Sequence, residues 1–170
     1  MLMTVLSLRF PRFNPAPAMV IVASLIASQS VARAASPFDK FVGEWRGAGQ
    51  IVGTNGHREP IRCRAQYTEA KEGSVLNQSI VCASESFKLN ITSYVEASGD
   101  SVQGYWKEAS RDVSGHLTGH ISGGRFEGEF SAISFAAAIS LTSNSRTQAV
   151  NIQPRGGDVS DVRIELKRSG

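Results

Sequence analysis

Three histidines, two cysteines and a few glycine-rich runs are the residues of this sequence that could carry chemistry. His116 and His120 stand four positions apart in a stretch where apolar and polar residues alternate. On an extended strand that spacing separates them by about 13 Å, too far to share one metal ion. They fall on the polar face with Ser114 and Thr118, and His57 falls in a turn. Gly47-Ala48-Gly49-Gln50-Ile51-Val52-Gly53 comes near a dinucleotide fingerprint, but the spacing is wrong and no helix follows to cap a pyrophosphate. Gly119-His120-Ile121-Ser122-Gly123 lacks the order of a nucleophile elbow and lies in a hairpin. No nucleophile–base pair and no metal-ligand set can be assembled, so catalytic and metal residues are expected to be none, no cofactor is expected, and an enzyme is the least favoured class. Cys63 and Cys82 are not spaced as a redox or metal pair and are expected to form a disulfide.

The elements that must position these residues are strands. One short helical signal stands at Ser36 to Val42, where Ser36 caps, Pro37 suits the first helical position and Phe38 and Phe41 share a face. From Glu44 onward the period is two. Strands are expected over 45–52, around Ile61 to Tyr67, around Leu76 to Cys82, around Phe87 to Val95, then through Trp106, Leu117, Phe130, Phe135 to Leu141, Thr147 to Ile152, and Val159 to Lys167. In an antiparallel hairpin, facing residues have positions of constant sum. A turn at Glu72-Gly73 then places Cys63 opposite Cys82 and Tyr67 opposite Gln78, within reach of a disulfide. Turns at Ser84-Glu85, Ser98-Gly99, Ala109-Ser110 and Gly123-Gly124 likewise bring apolar faces together. They pair Ile80 with Leu89, Ile91 with Trp106, Gly104 with Gly115 and Leu117 with Phe130. The expected fold is all-β, an up-and-down antiparallel barrel of eight to ten strands, because closure removes the long edges a flat meander would expose.

The first 34 residues read as a signal peptide. Arg9 and Arg12 precede an uncharged run from Ala18 to Ala27, too short to span a bilayer, and Ala32-Arg33-Ala34 offers a cleavage site after Ala34. Residues 35–170 are expected to be one domain, periplasmic or secreted, with no integral membrane span once cleaved. The chain carries a net charge of +3, but Arg9, Arg12 and Arg33 lie in the removed segment, so 18 basic residues become 15 against 15 acidic ones. The net charge of the domain gives no ground for a nucleic-acid or anionic-membrane partner.

Phe41-Val42-Gly43-Glu44-Trp45 resembles the G-x-W signature that opens the lipocalins and their calycin relatives. The resemblance implies a barrel closed at one end by a short helix, with Phe41, Gly43 and Trp45 at the closure and a cation from the last strand over the Trp. Arg163 is the nearest match for that cation and Lys167 the second. The layout also resembles small exported alphaproteobacterial proteins of no assigned function. Gly43 to Gly49 looks like the start of nitrobindin-type haem barrels; those bind haem through a His near the C-terminus, and the last His here is His120.

Aligned by the constant-sum register, Ser93, Gly104, Gly115 and Ala132 form a layer of small residues flanked by Trp106, Leu117 and Phe130. Such a layer leaves either a lumen or room for strand curvature. Tyr67 and Gln78 are inward polar groups able to orient a ligand or to bond each other. The function expected is binding of a small, mostly apolar ligand in the lumen. Two other readings stand beside it: a calycin-type inhibitor that meets a protease through the segment Ala35 to Phe38, and an envelope structural or stress protein without a ligand.

Overall fold

The computed structural model describes residues 35–169; the expected leader and its cleavage point lie outside them. The two-residue period becomes ten strands: β1 (Gly43–Gly53), β2 (Arg58–Ala70), β3 (Val75–Ala83), β4 (Lys88–Ser98), β5 (Ser101–Glu108), β6 (Val113–Ser122), β7 (Arg125–Ala132), β8 (Phe135–Ser143), β9 (Thr147–Arg155) and β10 (Val159–Arg168). Each pairs antiparallel with its neighbours in sequence, and β10 returns to β1 to close the barrel. Every strand edge is thereby satisfied, as the length of the meander demands.

Ser36 to Val42 is one hydrogen-bonded turn rather than a helix. Val42 N–H donates to the Phe38 carbonyl at 3.2 Å, and the chain enters β1 at once. Ser36 still caps, accepting from the Phe38 N–H at 3.1 Å, and its hydroxyl also contacts the Gly73 carbonyl and the Glu69 carboxylate. Phe38 and Phe41 are buried in the barrel end. Phe38 therefore anchors the segment Ala35 to Phe38 in the core, with Ala35 and Pro37 exposed beside it.

The Glu72-Gly73 turn, the Cys63–Cys82 pairing and its disulfide are present, with the two Cα atoms 4.1 Å apart. The Gly123-Gly124 hairpin also has the expected register, with Leu117 opposite Phe130. Three other hairpins are displaced by two residues. Ile80 faces Ile91, Val95 faces Gly104, and Trp106 faces Gly115. The turn after β4 is Gly99-Asp100, with Gly99 at φ 60°, so glycine takes the first central position, as type II′ requires, and not the second. Loops of four residues follow β3 and β5. A shift of two leaves every side chain on its expected face.

The core is uneven along the barrel axis. At the end where the N-terminal turn sits, Phe38, Phe41, Trp45, Tyr67, Leu76, Val102, Ile121 and Leu166 are buried. Toward the opposite end, inward positions such as Ile91, Ile139, Ile152 and Val162 keep partial exposure.

Candidate functional site

The closed end is built around Trp45. Its ring is fully buried and its Nε1 donates to the Phe41 carbonyl at 2.7 Å. The cation over it is Arg168, whose guanidinium carbon lies 4.5 Å from the ring centroid. Arg168 also donates to the Val42 and Ser145 carbonyls, tying the entry turn to the loop before β9. Arg163 does not take this place. In β10, inward positions are Ile164, Leu166 and Arg168, so Arg163 has the opposite parity and points outward to Asp161 at 2.9 Å. Lys167 points outward for the same reason.

The expected lumen residues fall on two cross-strand rows. One runs Tyr67, Gln78, Ser93, Trp106 and Gly115; the other holds Gly104, Leu117 and Phe130. They are brought together, but not as a layer of small residues. The two-residue displacement puts Gly104 between Val95 and Leu117, and Trp106 between Ser93 and Gly115. A Cβ on Gly104 would lie 2.1 Å from the Tyr94 carbonyl, and one on Gly115 would meet the Ser131 carbonyl at 1.9 Å and the Trp106 ring at 3.0 Å. These glycines admit close strand approach and seat the indole; they leave no hole of their own.

Trp106 is the centre of the open half. Its indole packs edge-on against Phe130 and Phe135, with centroids 6.1 and 6.3 Å away, and its N–H donates to the His116 carbonyl at 3.1 Å. Around the rim Phe135 is 39% exposed, Val113 36%, and Ile133 lies wholly in solvent at the β7–β8 turn. Gln78 does not bond Tyr67. It accepts from the Ser93 hydroxyl. Tyr67 is buried, and that burial pushes its phenol above the ordinary range, so it is neutral.

Two carboxylates at the open end escaped the reading of the sequence. Glu59 and Glu108 have inward parity and are buried. Glu108 accepts from the N–H groups of Asn90, Ser110 and Arg111 at 2.8 to 3.0 Å, and Glu59 from that of Ser86 at 2.6 Å. Burial alone would raise the Glu108 carboxyl; the three N–H bonds and the Ser110 hydroxyl outweigh it, and it is held below the ordinary range. Glu59 is likewise held down, chiefly by the Ser84 hydroxyl and the Ser86 N–H. Both carboxylates staple loops of the mouth. The signal available was an acidic residue at an inward position next to a loop.

An open groove of about 860 Å³ runs over β3 to β7, lined by outward residues together with Ser93, Trp106, Gly115 and Ala132. Tyr94 and Tyr105 stack along it at 5.2 Å, beside Thr92, Lys107 and His116. His116 and His120 are exposed on this outer face, His120 opposite Glu127, and no group of three or more His, Cys, Asp or Glu among the described residues is placed to hold a metal ion.

No known family profile matches the chain, and no curated protein matches it by sequence. Solved structures do match. The crystal structure of Rv2717c from M. tuberculosis superposes with a TM-score of 0.64 at 14% identity, over 80% of this chain and 99% of that one. The S-type phycobiliprotein lyase CPES from Guillardia theta superposes with a TM-score of 0.53 at 12% identity, over 78% of this chain and 90% of that one. The chain is thus a ten-stranded closed antiparallel barrel that shares its fold with these two proteins.

Proposed function

We propose that this domain is an exported barrel that takes a small, mostly apolar ligand into the half of its interior opposite the N-terminal turn. The observation that carries the reading is the uneven core. Inward apolar side chains are mostly sealed at the Trp45 end, whereas in the other half Ile91, Phe130, Ile139, Ile152 and Val162 keep partial exposure beside the buried Ile51, Ile61 and Ala137, and Phe135 and Val113 line the rim. Apolar surface facing inward yet wetted favours an apolar guest, which would replace water against it. Ser93 and Gln78 stand on the same row as Trp106 and would give such a guest one polar anchor. The disulfide accords with an oxidising compartment outside the cytoplasm. One barrel of this fold is by name a lyase, so the fold itself does not exclude catalysis, and the reading rests on the shape of the interior alone.

The test uses the neutral apolar fluorophore N-phenyl-1-naphthylamine and the chain from Ala35 onward, which contains the whole core and both ends of the closed sheet. Binding in the mouth raises probe emission and quenches Trp106. Ala132→Trp, which adds an indole beside Phe130 on the inward face, should weaken binding by about tenfold or more, as steric exclusion from a pocket does. Far-ultraviolet circular dichroism should stay unchanged. Absence of probe binding to the unaltered chain, together with no retained small molecule in native mass spectrometry of protein from its own host, rejects the reading.

A further inference from the structure

The domain's equal numbers of acidic and basic residues conceal an uneven distribution. On the outer face of β10, β1 and β2 the register places Lys167 opposite Arg46 and Arg46 opposite Arg64. Three cations thus lie side by side across three strands, with Arg62, Arg58 and Arg163 on the same face. Like charges directly opposite one another destabilise a sheet. Asp161 neutralises Arg163 at 2.9 Å and Arg58 donates to Gln50 at 2.7 Å. Among the described residues no carboxylate lies within 4.0 Å of Arg46, Arg62, Arg64 or Lys167, although Glu44 and Glu165 share the face. A depression of about 180 Å³ opens on this face, lined by Arg46, Arg64, Gln66, Ser79 and Glu44.

We propose that this depression is a seat for a phosphate group and that the basic face docks the barrel side-on to a bilayer containing anionic phospholipid. The side chains of Arg46, Arg64, Gln66 and Ser79 supply donors along this lining, the kind of set that binds phosphate oxygens, and the two guanidiniums outnumber the single Glu44 carboxylate beside them. The face is the convex wall of a barrel. A duplex, also convex, would touch few of the cations, and no aromatic side chain stands on this face to stack an unpaired base. A plane of mobile headgroups can gather under all of them, and each basic residue near such a surface adds to the attraction. The proposal is independent of the ligand in the barrel, since every residue it uses points outward.

The chain from Ala35 is sedimented with vesicles of phosphatidylcholine alone and with vesicles in which about a third is phosphatidylglycerol. Anionic vesicles should carry down at least about tenfold more protein, and about 0.5 M salt should abolish the difference. The double variant Arg46→Gln/Arg64→Gln should lose about tenfold in affinity and melt at the same or a higher temperature, because a repulsive pair has gone. Arg125→Gln, on β7 across the barrel, should bind as the unaltered chain does. If the double variant fails to fold, Arg62→Gln/Lys167→Gln serves in its place with the same expected loss. Equal binding to neutral and anionic vesicles overturns the proposal. So does binding to duplex DNA without binding to vesicles, or release by inorganic phosphate beyond that caused by sodium chloride of equal ionic strength, which would make free phosphate the occupant.

Discussion

Arg168 does the work of a lock at the sealed end: its guanidinium lies over Trp45 and its N–H groups hold two carbonyls from different loops. A partly desolvated cation–π contact and two charge-assisted bonds together place the expected cost of Arg168→Gln at about 2 kcal/mol. Arg163→Gln removes only an exposed pair and should change stability by less than about 0.5 kcal/mol. Urea denaturation of the two variants compares them directly, and equal effects would refute the assignment. The presence of a closing cation was legible from the G-x-W resemblance. Which one was not, because parity on β10 had to be counted from Ile164 and Leu166 inward, and the alternation in the sequence continues one step further than expected, to Arg168. Trp106 illustrates the same limit. Its inward direction followed from period two, but its neighbours Ser93 and Gly115 depended on turns that the alternation cannot locate.

At the scale of the element, the loops of the open end are held by Glu59 and Glu108. Both carboxylates are depressed below the ordinary range near about 4.3, so their contribution is fully present above that range and is lost as pH falls through the lower folded values. Chemical denaturation from pH 7 to pH 3 should show stability falling at the acid end. Glu108→Gln should be less stable at neutral pH and lose less on acidification; an unchanged slope would remove Glu108 from the account. The disulfide joins β2 to β3 across 19 positions, and its reduction should cost about 3 kcal/mol, read as a lowered urea midpoint. That bond was legible because a turn of good chemistry and two cysteines agreed on one register. Ser84 to Phe87 and Ala109 to Asp112 offered no such second witness. Their four-residue loops are specified by side chains that reach back from the strands, the Glu108 carboxylate to Ser110 and Arg111 among them, and a tally of turn propensities does not see these.

At the scale of the molecule the fold was legible and its asymmetry was not. Alternation, short connections and the want of any free edge lead to a closed meander, and ten strands fulfil it. That one end is more fully packed than the other depends on where Phe38 and Phe41 insert, and on how rows of side chains climb around a tilted wall. Filling the sealed end is worth a core residue: Phe38→Ala should cost about 3 to 4 kcal/mol in the same denaturation assay. It should leave the opposite rim able to bind the fluorophore as long as the chain folds.

The seam between β1 and β10 is one pairing among ten of the same kind, with Trp45 opposite Arg168 and Gly53 reaching Val159. A ring of that sort does not depend on which stave comes first. Joining residue 169 to Ala35 through a flexible linker, so that Phe38 and Phe41 are kept, and opening the backbone between Gly156 and Gly157, both exposed with positive φ, should give a circular permutant whose ten strands close in the same order. Its new ends would flank the mouth, where tags attached to them can be used to report, by proximity, whatever enters.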